Sequence, residues 1–180
     1  AALWQNRGQL ALIDAVGVPP TEPANRRMLA TPGERPAQAV GMDDYISAAG
    51  WAVFAAHIST VFNRLVAARN KGQNRRTPML FHTYAHLTPR PSGAGLGFGP
   101  WLQPWLQRFG VPEAHWAALA AHLIDKLAAL LQSLVDQHVA ADPACALQLV
   151  DTRTAGLLAA DTQAAGESGD FVNEIHPTSD

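Results

Sequence analysis

The sequence predicts an α/β fold built on a parallel sheet, and three features predict it. Two long segments carry apolar residues at helical spacing, and two short runs, 78–84 and 146–152, read as strands. The elements also come in the order helix, strand, helix, strand, which is the rhythm of parallel strands joined by crossover helices.

Taken in order, residues 1–16 are apolar and open without a helix cap or a leader. The region 17–41 holds Pro19, Pro20, Pro23, Pro32 and Pro36. Proline at that density blocks both a helix and an inner strand, so this region reads as a long surface loop inserted in the domain. A helix is expected from about 44 to 70, with Asp43 and Asp44 offering caps. Its apolar positions Ile46, Val53, Phe54, Ile58, Val61, Phe62, Leu65 and Val66 recur at helical spacing. Lys71-Gly72 ends it. The run 78–84 enters through a proline at its first residue and reads as a buried strand. Three prolines and four glycines make 88–100 a loop. The second helix starts near Pro112, which suits a first turn. Trp116, Leu119, Leu123, Leu127, Leu130, Leu134 and Val135 share one of its faces, and Asp142-Pro143 ends it. The second strand, 146–152, follows.

Composition narrows the function. A chain of 180 residues that is 48% hydrophobic is expected to form one domain, 1–180, with a real core. A formal net charge of −2 with no basic stripe argues against nucleic acid. No uninterrupted apolar run approaches the roughly 20 residues of a membrane span. The one cysteine, Cys145, excludes an internal disulfide and lies among small apolar neighbours, so it reads as a buried hydrophobe.

The richest stretch is Gly169-Asp170-Phe171-Val172-Asn173-Glu174-Ile175-His176-Pro177-Thr178. A histidine acting as a base needs a partner on its other ring nitrogen, to fix the tautomer and support the imidazolium. In a tight turn a side chain three residues earlier can reach the ring. Here that residue is Asn173, with Asp170 three residues further upstream. In a doubly wound sheet, ligands lie at the carboxyl ends of the strands, and this segment follows the second strand.

Asn173-Glu174-Ile175-His176-Pro177 resembles the last block of the SGNH (GDSL-type) hydrolases, Asp-x-x-His-Pro. Pro78-Met79-Leu80-Phe81-His82-Thr83-Tyr84, Pro89-Arg90 and Gly99-Pro100-Trp101-Leu102 are similar to a bacterial subgroup of that family. The resemblance covers about 40–180. It implies a flavodoxin-like three-layer α/β/α fold, and ester or acyl hydrolysis by a serine nucleophile with no metal or organic cofactor. It implies that His176 is the catalytic base, oriented by Asn173 with help from Asp170. The family's Gly-Asp-Ser block has no counterpart here, because none of the six serines (Ser47, Ser59, Ser92, Ser133, Ser168, Ser179) stands in that context. Nor does the segment from Gln5 through Asn6 and Gly8 to Leu10 match the family's Gly-x-Asn-Asp block. The chain therefore reads as the C-terminal portion of such a hydrolase, with the serine supplied by an N-terminal segment it lacks. Asparagine at 173 keeps a hydrogen-bond acceptor but not the charge of the usual aspartate. The competing reading is a non-catalytic, degenerate SGNH-like domain or an interaction fragment.

His82, Tyr84 and His86 alternate, but no third ligand stands nearby, so no metal site is expected. Tyr84 and His86, at the strand's carboxyl end, are expected to contact substrate. So are Trp101 and Trp105, which cluster with Phe98 and Phe109 behind the glycine-rich loop. The substrate class is a small ester or acyl compound. A sheet missing its first strands would expose an apolar edge, and self-association through it is expected.

Overall fold

The computed structural model describes residues 27–38, 41–96, 98–153 and 155–178, together with the backbone of Trp4–Gln5 and Leu10–Ala11. Its elements are β1 (Trp4–Gln5), β2 (Leu10–Ala11), α1 (Ala48–Arg69), β3 (Met79–His82), α2 (Gln103–Arg108), α3 (Trp116–Ala141) and β4 (Leu147–Val150). The fold is thus mixed α/β, with a two-stranded parallel sheet, β3–β4, and a small antiparallel pair, β1–β2. Of the expected proline-rich loop, 17–41, residues 17–26, 39 and 40 lie outside the described residues, as do Asn6 and Gly8. Its described part holds a 3-10 turn, Pro32–Glu34, closed by a capping box with Thr31.

The chain divides into two compact units. One comprises 1–29, 46–83 and 126–152, and the other 30–45, 84–125 and 153–180.

In the first unit, α1 begins later than the aspartates suggest. Ser47 holds an extended backbone and its hydroxyl accepts the Gly50 N–H at 3.1 Å, the geometry of an N-cap. The Asp44 carboxylate instead accepts the Gly41 N–H at 3.0 Å and serves a 3-10 turn, Met42–Tyr45. Gly50 is required by close approach, since a Cβ there would overlap the Arg27 carbonyl. The core is built from Phe62 and Val66 of α1, Leu134 and Val135 of α3, Cys145 and Leu147, with Met79, Phe81 and Leu149 against it. Phe62 stacks on Phe81 with ring centroids 4.2 Å apart.

The pairing of β3 with β4 explains which strand residues reach that core. Met79 lies opposite Leu147 and Phe81 opposite Leu149, while Leu80 faces Gln148 and His82 faces Val150. Side chains alternate across a sheet, so the first four point one way and the second four the other. The expectation of a fully buried strand is corrected here: Leu80 is 63% and Val150 40% exposed. Parallel sheets are ordinarily covered on both faces, and this one is covered on one.

By length and composition, two helices, Ala48–Arg69 and Glu113–Ala141, could cross a membrane. Alanine and small neutral residues raise their average, which a search for uninterrupted apolar runs does not register. In the fold, Phe62, Val66, Leu134 and Val135 of these helices are core residues beside the strands.

The second unit contains α2, a six-residue helix around Pro104 that the periodicity did not reveal. The 3-10 turn Glu113–His115 begins one residue past Pro112 and leads into α3 at Trp116. Trp116 buries its ring and donates Nε1–H to the Val111 carbonyl at 2.8 Å. The Tyr45 hydroxyl meets His115 Nδ1 at 2.8 Å, with the Arg35 guanidinium 5.0 Å from the Tyr45 ring.

Candidate functional site

The C-terminal segment is shaped by backbone pairing. Phe171 forms bridges with Ser168 and Pro177, and the Val172 N–H donates to the His176 carbonyl at 2.9 Å. Gly169 turns the chain with φ of 55°, and a Cβ there would run into the carbonyls of Leu158 and Ala159. Glycine is therefore required on two counts.

Inside this closed turn lies Asn173, 3% exposed. Its Oδ1 accepts the N–H of Ile175 at 3.1 Å and of His176 at 3.0 Å, and stands 3.0 Å from His176 Nδ1. Backbone N–H groups only donate, so the atom they meet is the carbonyl oxygen and not the amide nitrogen. It follows that Nδ1 carries the ring proton in that contact and that Nε2 of the neutral ring carries the lone pair. Nε2 has no hydrogen bond to another described residue, and the side chain is exposed. Trp101 meets the ring edge-on, with centroids 5.6 Å apart.

Glu174, the next residue after Asn173, was not singled out from the sequence, yet it anchors the turn. It is 1% exposed. Its Oε1 accepts the N–H of Gln103 at 2.7 Å and of Arg90 at 3.2 Å, while Oε2 accepts those of Leu102, at 2.6 Å, and Trp101. Burial raises the Glu174 carboxyl above the ordinary range, and the four backbone donors pull it back down. Arg90, fully buried, gives its guanidinium to the carbonyls of Ala164, Gly166 and Phe171. Burial holds its pKa below the usual guanidinium range, opposed by the charges of Glu174 and Asp161. Pro89 and Pro91 flank Arg90, and a cation between two prolines is the one sequence signal that points to it.

Asp170 lies in the same segment but serves a different bond. Its carboxylate accepts the Leu158 N–H at 2.8 Å. Trp105 is buried in α2, whereas Tyr84 is 53% exposed. His86 Nε2 lies 3.0 Å from Asp125 Oδ1, which also takes Arg153 Nη1 at 2.9 Å. Each of the five described serines holds a hydrogen bond in the fold. Ser47 caps α1, and the Ser59 hydroxyl donates to the Ala55 carbonyl. The Ser92 hydroxyl donates to the Gly166 carbonyl, that of Ser133 accepts from Gln137, and that of Ser168 accepts the Asp161 N–H. Ser179 lies outside the described residues. Among the described residues no group of three or more His, Cys, Asp or Glu could hold a metal ion.

Comparison with known proteins yields no relative: no family model, no curated protein and no solved structure matches the chain.

Proposed function

We propose that this chain is part of an ester or acyl hydrolase of the SGNH type, with His176 as the general base. The observation that carries the reading is the contact between Asn173 Oδ1 and His176 Nδ1, at 3.0 Å, which leaves the lone pair on Nε2 of an exposed histidine. In the reaction, Nε2 takes the proton of a serine hydroxyl as the oxygen attacks the acyl carbon, then returns it to the leaving group. The reading takes the serine nucleophile from outside the described residues, whose five serines each hold a hydrogen bond in the fold. Trp101 beside the ring is the substrate contact this geometry favours, with Tyr84 and His86 as further contacts and Asp170 as a brace of the turn. No metal or organic cofactor enters the scheme, and neither nucleic acid nor a membrane span belongs to it.

On this reading the parallel pair belongs to a flavodoxin-like three-layer sheet whose further strands are not among the described residues. The unpaired edges of that pair, with Leu80 and Val150 exposed beside them, are expected to drive self-association when the 180-residue chain is purified alone. Size-exclusion chromatography checks this: dimers or larger species are expected, and a clean monomer counts against a truncated sheet.

A second reading, a degenerate and non-catalytic domain, is favoured by one observation, the neutral asparagine where a charged partner would stand. Hydrolysis of p-nitrophenyl acetate and butyrate by the full-length protein carrying this sequence separates the two, beside its His176→Ala variant and a fluorophosphonate label for an active serine. Labelling together with turnover that is lost in the variant is the hydrolase result. A protein neither labelled nor active is the degenerate domain.

A further inference from the structure

The second unit has a cleft of about 340 Å³ lined by Ala85, His86, Arg153, Gly156, Leu157, Ala159 and Phe171. We infer that this cleft binds a short-chain carboxylate, its headgroup toward Arg153 and His86 and its alkyl chain against Leu157 and Ala159. Two features of the lining carry the assignment.

The first is a pair of polar side chains, Arg153 and His86, held together in an otherwise apolar lining. Arg153 and His86 converge on a single oxygen, Asp125 Oδ1, at 2.9 and 3.0 Å. That shared acceptor fixes both side chains on the wall. The hydrogen bond from His86, and then Arg153, holds the Asp125 carboxyl below its usual range, so it stays ionised as their anchor. A guanidinium matches a carboxylate in shape as well as in charge.

The second is that the rest of the lining is apolar and firmly held. Phe171 is 2% exposed, and its carbonyl accepts Arg90 Nη2–H at 3.1 Å. Leu158 and Asp170 exchange backbone and side-chain bonds beside it, which fixes the Leu157–Ala159 wall. The volume lies at the small end of ligand pockets, which run from roughly 300 to 1,000 Å³. A chain of a few carbons fits, and a long acyl tail does not. The inference concerns binding alone and stands whether or not His176 acts as a base.

The test is a titration of the protein with sodium butyrate, followed by the amide resonances of Ala85, Gly156, Leu157 and Ala159 and the ring of His86. Sodium chloride and butylammonium chloride at equal ionic strength serve as controls. Saturable shifts confined to these residues are expected with butyrate only. Arg153→Gln is expected to weaken binding ten-fold or more, and Ala85→Leu, which narrows the cleft without touching the Asp125 cluster, is expected to do the same. Butyrate shifts no different from those of sodium chloride would overturn the inference. So would an unchanged affinity in Arg153→Gln. Should that variant lose its folded spectrum, unchanged affinity in Ala85→Leu is the overturning result.

Discussion

Glu174→Gln is expected to destabilise the protein by about 4 kcal/mol, lowering Tm by roughly 8–16 °C. The reason is the symmetry of the site. Each carboxylate oxygen accepts two backbone N–H groups, Gln103 and Arg90 on one, Trp101 and Leu102 on the other. Whichever end becomes the amide nitrogen, two buried donors lose their acceptor and face another donor. A buried donor left unpaired costs about 1–3 kcal/mol. The change also releases Arg90 from a nearby buried anion, and its guanidinium braces the loop through Ala164, Gly166 and Phe171. Thermal unfolding of the two proteins at the same pH gives the answer. A Tm within about 2 °C of wild type would mean that the four donors find other acceptors.

On the hydrolase function proposed above, Asn173→Ala is expected to lower turnover on p-nitrophenyl butyrate about 100-fold or more, the scale of a lost general base. Removing Oδ1 deprives three donors at once, the N–H groups of Ile175 and His176 and the ring Nδ1–H. The ring then has nothing to choose its tautomer. Asn173→Asp is the conservative partner, since a carboxylate can accept all three bonds and adds a charge to support the imidazolium. It is expected to retain or exceed wild-type turnover. Asparagine in place of a triad aspartate costs roughly 10⁴ when it leaves the histidine in the wrong tautomer. Here two backbone donors hold the oxygen toward the ring, so the deficit is charge alone. A merely structural role for Asn173 would lower Tm in the alanine variant and leave turnover per folded molecule unchanged.

Much of the fold was legible because it rests on local periodicity. The apolar spacing of Phe62 and Val66, and of Leu134 and Val135, marks the faces that become the core. The strand runs around Phe81 and Leu149 pair in parallel, and the helix between them provides the crossover such pairing needs. Less legible were features decided by competition among neighbours. Asp43 and Asp44 look like caps, but only Ser47 has the extended backbone beside the first helical turn. Leu80 is apolar enough for a buried strand, yet alternation turns it to the uncovered face. The short α2 is too brief for a period to emerge.

The site divides along the same line. Asn173 and His176 were legible because their contact spans three residues and a turn suffices to make it. Glu174 was not, because its four donors lie more than 70 residues away in sequence and an acidic residue in a turn ordinarily faces water. Trp101 was visible as an aromatic but not as the neighbour of His176, a relation that depends on the same distant bonds.

The most direct test of the account is the tautomer of His176, read from the ¹⁵N shifts of its ring at a pH where the ring is neutral. A protonated Nδ1 and a bare Nε2, changing in Asn173→Ala, are the predicted result. A protonated Nε2 would contradict it, because that nitrogen would then have no lone pair with which to take a proton.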